Sequence, residues 1–329
     1  MIGVTGATGK LGQLVMQELL KRVEAKELVA IVRSPEKAQS FEAKGVHIRQ
    51  ADYDDPAALE KALHGIERLL LISANEVGKR YPQHQNVIRS AQKTGVQWIV
   101  YTSLLHADTS LINLAEEHRQ TESFLKNAGV PYTFLRNGWY TENYEGTVRS
   151  AVEHGALLGS AGSGRIASAA RKDYAEAAAH VLTTDGHVGK TYELAGDQAW
   201  TMDDLARAIS HLTGKNIVYR NLPVEEYADI LTNSGIPEDY AKMIADWDRA
   251  TAEGSLYDDS QTLKQLIGRP TTPLTETRSV QCVILYIRDP DGNRMITTGI
   301  MCVIWTLSRF AGRGKNTIAG VACGGGQLI

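Results

Sequence analysis

The first residues able to do chemistry lie at the amino terminus. An apolar run, residues 1–5, meets Gly6-Ala7-Thr8-Gly9-Lys10-Leu11-Gly12, and Leu11, Val15, Leu19 and Leu20 then fall on one helical face. A glycine-rich turn between strand and helix is a cradle for a dinucleotide pyrophosphate. Gly6 permits the tight turn, Gly9 lets the backbone approach the phosphates, and Gly12 lets the helix pack against the sheet. The N–H groups at the helix start face the anion. The spacing is G-x-x-G-x-x-G rather than G-x-G-x-x-G, and a plain strand-to-helix turn is the alternative. A second apolar run, residues 28–33, ends in Arg33, with Lys37 one turn on. An acid there would take a ribose 2′-hydroxyl, whereas arginine accommodates a 2′-phosphate. Arg33 therefore points to NADPH, against the alternative of a solvated strand-end arginine.

Other polar residues cluster where further strands should end. Asp52-Tyr53-Asp54-Asp55 follows residues 46–51. Asp54 and Asp55 read as caps of the helix that Pro56 opens, and Asp52 as an acceptor for an adenine amine with Tyr53 beside the ring. Ser73, Ala74 and Asn75 follow a continuous apolar run at 69–72, and Thr102 and Ser103 follow Tyr101. Small polar groups there can line a nicotinamide ribose, or simply begin loops. Arg136-Asn137-Gly138-Trp139-Tyr140, with Asn143 one helical turn later, joins aromatics and amides beside a glycine. Such a group suits a flat ligand, and core packing of Trp139 and Tyr140 is the alternative. Trp139, Tyr140 and Asn143 are the candidates for positioning a reacting ring, with Asn143 hydrogen-bonding an oxygen that gains charge. No tyrosine is followed four residues later by a lysine in a place that would form a proton relay, and no G-x-S-x-G elbow occurs.

These residues need a scaffold that brings strand ends together. Strands are expected over 1–5, 28–33, 46–51, 69–72, 98–101 and 132–135, and helices over 35–44, 56–63, 83–94 and 114–127. That alternation predicts an α/β fold with a doubly wound parallel sheet of the Rossmann kind over 1–138. The rhythm then loosens: helix near 140–155, loop over 160–168, strand over 191–194, helix over 201–213, strand over 217–219, and helices over 224–233, 237–252 and 259–267. A smaller mixed α/β lobe over 139–278 is expected, with the chain free to cross back. From 279 to 329 acidic residues thin out to Asp289 and Asp291, and Cys282, Cys302 and Cys323, the chain's three cysteines, all fall there. This stretch reads either as an interaction tail or as an end never selected to pack, frameshifted or fused.

Composition narrows the partners. Of 329 residues, 43% are hydrophobic and 22% charged, and the formal net charge is −3, so no basic footprint marks a nucleic acid or an anionic membrane. No apolar run reaches the ~18 residues of a membrane span, and no export signal opens the chain, so a cytoplasmic location is expected. The nine histidines are scattered singly, which argues against a zinc site.

GATGKLG, VAIVRSPEKA, ADYDDPAAL, LLLIS, YTSLLHADTS, YTFLRNGWYTENY, YELAGDQAWT and LIGRPTTPL occur in that order. Together they resemble the atypical, NmrA-like short-chain dehydrogenases, from Met1 to about Thr277. The resemblance implies NADPH held by Gly6 to Gly12, by Arg33, by Ser73, Ala74 and Asn75, and by the segment Asn137, Gly138, Trp139, Tyr140 and Asn143. It adds Ala169, before Arg171 and Asp173, at the nicotinamide end. It implies two-electron reduction of a small-molecule quinone by direct hydride transfer, without flavin or metal, in a monomer or homodimer. A redox-sensing NADP(H)-binding regulator and a reductase of triphenylmethane-type dyes are the alternatives it leaves.

Overall fold

The structure, a computed structural model, describes residues 1–277, so the expected tail over 279–329 lies outside the described residues. In chain order β1 (Ile2–Thr5) leads to α1 (Lys10–Leu19), β2 (Leu28–Val32), α2 (Gln39–Glu42), β3 (His47–Gln50), α3 (Pro56–Leu63), β4 (Arg68–Leu71), α4 (Arg80–Thr94), β5 (Trp98–Leu104), α5 (Ala115–Lys126) and β6 (Tyr132–Asn137). There follow α6 (Glu145–His154), β7 (Ala156–Gly159), α7 (Arg171–Thr183), β8 (Thr191–Leu194), α8 (Met202–Thr213), β9 (Val218–Asn221), α9 (Val224–Asn233), α10 (Glu238–Ala252) and α11 (Thr262–Ile267).

Seven strands form one parallel sheet in the order β3-β2-β1-β4-β5-β6-β8. Alternation along each strand sorts its side chains between two cores. Leu28, Ala30 and Val32 pack with α1 and α7 on one face, while Val29 and Ile31 pack with α3 and α4 on the other. Both faces are covered, which is why these strands read as unbroken apolar runs. The strand order reverses between β1 and β4. The crevice at their carboxyl ends is where such sheets bind ligands, and Gly6 and Ile72–Asn75 flank it.

Several expectations need correction. The helix expected over 35–44 is a 3-10 turn, Pro35–Ala38, followed by the four-residue α2. Only Ala38 and Phe41 are buried there, a three-residue spacing that suits 3-10 geometry. β5 and β6 run further than expected, so Thr102, Ser103, Arg136 and Asn137 are strand residues. α7 and β7 lie where no helix or strand was expected. α7 packs against α1, α11 and β4, and β8 joins the edge of the sheet beside β6. The chain thus crosses back to the main sheet.

The smaller lobe has its own core around Trp139, Tyr144, Trp200 and Trp247, under the parallel pair β7–β9. Its α8 begins as the T-M-D-D motif indicates: Thr201 Oγ1 accepts from the Asp204 N–H, and the Asp204 carboxylate accepts from the Thr201 N–H. Among the described residues no helix is long and apolar enough to cross a membrane, and no group of three or more His, Cys, Asp or Glu could hold a metal ion.

Candidate functional site

The turn after β1 has the shape its glycines suggest. Gly6 adopts φ +59°, and the Gly9 N–H donates to Gly6 O at 2.9 Å, closing the turn. A Cβ on Gly12 would lie 2.2 Å from Gly6 O and 2.8 Å from Ala7 Cα, so only glycine allows α1 this close to the turn. Ala7 and Leu11 are buried beneath it, Thr8 and Gly9 are half-buried, and Lys10 is exposed. No side chain caps α1, so the N–H groups of its first turn face an acceptor from outside the helix.

Tyr53 is half-buried and anchored by its hydroxyl. Its hydroxyl lies 2.6 Å from Thr5 Oγ1 and 2.8 Å from Ile72 O, tying the ends of β1 and β4 together. Asp52 accepts from the Asp54 N–H in a local turn. Of the two expected caps only Asp55 serves, accepting from the Ala58 N–H at 3.0 Å; Asp54 instead accepts from Gln83 Nε2. Arg33 stands exposed just past β2, with Nη1 3.6 Å from Glu76 Oε1. A pair this exposed is worth about 0–1 kcal/mol, so a phosphate dianion can displace it.

Ser73, Ala74 and Asn75 leave β4 at the crevice. The Ser73 N–H donates to Thr102 Oγ1 at 2.9 Å, and the Ala74 N–H to His84 Nε2 at 2.8 Å. Arg80 Nε donates to Ala74 O at 2.6 Å. Behind this loop lies a buried set that sequence reasoning missed: Arg80, His84, Tyr101, His118 and Thr121. His84 accepts at Nε2, so its proton sits on Nδ1, 2.9 Å from Thr121 Oγ1. The Tyr101 hydroxyl is 2.7 Å from His118 Nδ1. Burial, with the Arg80 guanidinium alongside, holds both imidazoles well below their ordinary value and therefore neutral. Arg80 and His84, four apart on one helix, were the available signal.

The segment after β6 forms the third side. The Gly138 N–H donates to Leu194 O at 2.7 Å, and a Cβ at Gly138 would sit 3.0 Å from that oxygen and 3.1 Å from the Tyr174 hydroxyl. Trp139 and Tyr140 are 6% and 5% exposed. The Trp139 ring meets Trp247 edge-on, and Tyr140 lies between Tyr174 and the Arg171 guanidinium. Both rings are thus packed walls rather than the open stacking faces the sequence suggested. Ala169 runs beside this segment: its N–H donates to Trp139 O and its carbonyl accepts from the Thr141 N–H. Asn137 Nδ2 reaches the Tyr140 hydroxyl at 3.4 Å, and Asn143 Oδ1 accepts from Arg171 Nη2 at 2.8 Å.

Among the described residues few buried polar side-chain atoms lack a partner, and they include Asn137 Oδ1, Asn143 Nδ2 and Arg80 Nη2. Such atoms are costly unless something satisfies them. The free acceptor, Asn137 Oδ1, matches the amide group at the nicotinamide end of a dinucleotide, and the free donor on Asn143, linked to it through Tyr140, is left for a second ligand. A turn that admits no Cβ at Gly12 matches the pyrophosphate end. The residues present fit the cofactor at both ends.

Comparison with known proteins agrees. Residues 6–185 match a family described as NAD(P)H-binding. The chain is 54% identical to quinone oxidoreductase 2 of Escherichia coli over 279 residues, covering 85% of this chain and 98% of that protein. The crystal structure of the NADPH-dependent quinone oxidoreductase of E. coli complexed with NADPH superposes with a TM-score of 0.83 at 53% identity, covering 86% of this chain and 98% of that one. The Citrobacter triphenylmethane reductase complexed with NADP(H) gives 0.82 at 42% identity, covering 86% and 100%. The chain belongs to the NAD(P)H-binding, NmrA-like family of atypical short-chain dehydrogenases.

Proposed function

We propose that this protein reduces quinones with NADPH, transferring two electrons directly and without flavin. The observation that carries the reading is the likeness to the E. coli NADPH-dependent quinone oxidoreductase, which covers 98% of that protein and 86% of this chain. When bound, NADPH supplies the hydride. In this reading Gly6, Ala7, Thr8, Gly9, Lys10, Leu11 and Gly12 hold the pyrophosphate, and Arg33 holds the 2′-phosphate. Ser73, Ala74 and Asn75 line the ribose at the nicotinamide end, and Asn137 Oδ1 accepts from the nicotinamide amide. Gly138, Trp139, Tyr140 and Ala169 form the packed wall that fixes the ring's plane.

The chemistry asks little more of the protein. A quinone that accepts hydride gains negative charge on an oxygen, and the free Nδ2 of Asn143 is a donor for that charge. The resulting oxygens are stable enough to take protons from water. Positioning then supplies most of the rate, which accords with the lack of a Tyr/Lys relay. The test is to mix purified protein with NADPH and 1,4-benzoquinone and follow the reduced-nicotinamide absorbance, with NADH in parallel. NADPH loss well above the uncatalysed rate, with NADH much slower, is expected. Binding of NADPH without consumption, by benzoquinone or by a naphthoquinone, overturns the reading.

A further inference from the structure

Arg171 opens α7 and reaches back over the segment that carries Asn143. It is 6% exposed. Its Nη2 donates to Asn143 Oδ1 at 2.8 Å, and its Cζ lies 4.7 Å from the centroid of the Tyr140 ring. The Arg171 backbone N–H donates to both oxygens of Glu142, at 3.0 and 3.1 Å, and the same carboxylate lies 4.0 Å from Nη1. Residues 139–141 and 169–171 run side by side, joined by the Tyr140–Ala169 bridge, so the guanidinium is delivered by backbone pairing and held by charge and ring contact.

An asparagine amide has two unlike ends, and either can face a ligand. An arginine only donates, so the end it meets must be the oxygen. The Nδ2 end is thereby turned away, and it is buried with no protein acceptor. We propose that Arg171 is a positioning residue that locks the Asn143 amide with its N–H2 end toward the reacting oxygen, so that the site serves carbonyl acceptors on which charge develops. This inference rests on the quinone reading above. It gives that reading a substrate rule. A quinone gains charge on oxygen when hydride arrives and needs the locked donor. A cationic triphenylmethane dye takes the hydride at its central carbon, loses its positive charge, and places none on oxygen, so it needs no such donor.

The experiment measures turnover of 1,4-benzoquinone and of crystal violet, and NADPH affinity by fluorescence, for wild type, Arg171→Met, Arg171→Lys, Asn143→Leu and the double variant Arg171→Met/Asn143→Leu. For benzoquinone, kcat should fall about 10- to 100-fold in Arg171→Met, as expected when an oxyanion donor is misdirected. NADPH affinity should change less than about threefold, and Arg171→Lys, which keeps a donor, should recover part of the loss. In the Asn143→Leu background the same change should cost little more, because residues acting through one another are not additive. A fall of equal size in crystal violet turnover, or an equal cost with Asn143 already gone, overturns the inference. So does kcat within about threefold of wild type in Arg171→Met. If that variant does not fold, Asn143→Asp keeps the Arg171 contact but removes the donor, and unimpaired benzoquinone turnover in it overturns the inference equally. A wild-type protein that binds NADPH and reduces no quinone overturns the functional reading itself.

Discussion

Asp248 offers a stability test that is independent of turnover. It lies on α10 in the smaller lobe, and its Oδ2 accepts from the Ser160 backbone N–H at 2.7 Å. A Cβ on Gly159 would sit 2.7 Å from the same oxygen, so the carboxyl is seated closely against β7. Tyr144, Tyr219 and Tyr227 surround it; burial pushes their hydroxyls up, and the Asp248 charge adds to that. Burial raises the carboxyl to about 6, against an ordinary value near 3.8, while the Ser160 bond pulls back only in part. The folded state therefore holds this proton more tightly than the unfolded chain does. The stabilisation is fully present below about pH 4 and is lost as pH rises through 6. At about 1.4 kcal/mol per unit the full displacement is worth about 3 kcal/mol, and partial solvent exposure reduces that to about 2. Asp248→Asn keeps an acceptor for Ser160 and cannot ionise. The stability of Asp248→Asn minus that of wild type should rise by about 2 kcal/mol between pH 4 and pH 7 and then stay level. In a chain of this size that is about 3 °C in Tm. Urea or thermal melts followed by tryptophan fluorescence at steps of one pH unit would show it. A difference that does not change with pH would refute the reasoning, whatever its size, because the effect is a titration and not a packing change.

Three further outcomes test the crevice. Gly12→Ala should lower NADPH affinity more than about tenfold and lower Tm, since its Cβ must push α1 off the turn; titration of the folded variant with unchanged affinity would refute the cradle. Arg33→Ala should raise the KM for NADPH well over tenfold and leave NADH nearly unaffected, because only the former carries a 2′-phosphate. Equal effects on the two cofactors would remove Arg33 from that role. Tyr53→Phe should cost about 1–2 kcal/mol by urea melts, because its hydroxyl joins Thr5 and Ile72 and both lose a partner; a cost near zero would mean that the link between β1 and β4 does not depend on it.

The fold was legible where side chains sort cleanly between water and one core. Pro56–Leu63 and Val224–Asn233 carry an apolar stripe and a polar face, and both form over the expected residues. Thr191–Leu194 was equally readable as a strand, but nothing local indicates that it joins the main sheet. α7 failed for the opposite reason. Residues 171–183 are alanine-rich and buried on most sides, between α1, α11 and β4; Lys172, Glu176, His180 and Thr183 form a polar stripe only one residue wide, and the buried Arg171 and Asp173 blur the 3.6-residue contrast. So narrow a stripe is a weak signal beside charged residues that prove to be buried.

The same logic explains what was missed at the site. Polar residues follow Tyr101 and Leu135, so hydropathy ends β5 and β6 there, yet pairing continues to Leu104 and Asn137. Those residues remain in strands because they satisfy one another. Ser103 donates to Glu122 Oε1 at 2.6 Å, and Arg136 bonds Glu122 and Glu193 at 2.6 and 2.8 Å. A buried polar group with a partner is tolerable, and one without a partner is costly. Hydropathy cannot tell the two apart, because the distinction lies in contacts between distant parts of the chain. Asn137 and Asn143 were legible as candidates from position, but their roles were not: which end of each amide is free depends on Tyr140 and on Arg171, a residue 28 positions from Asn143. The directional chemistry of this crevice, one acceptor and one donor left open among satisfied neighbours, is therefore a property of the folded arrangement, while its glycine turn and strand-end arginine are properties of local sequence.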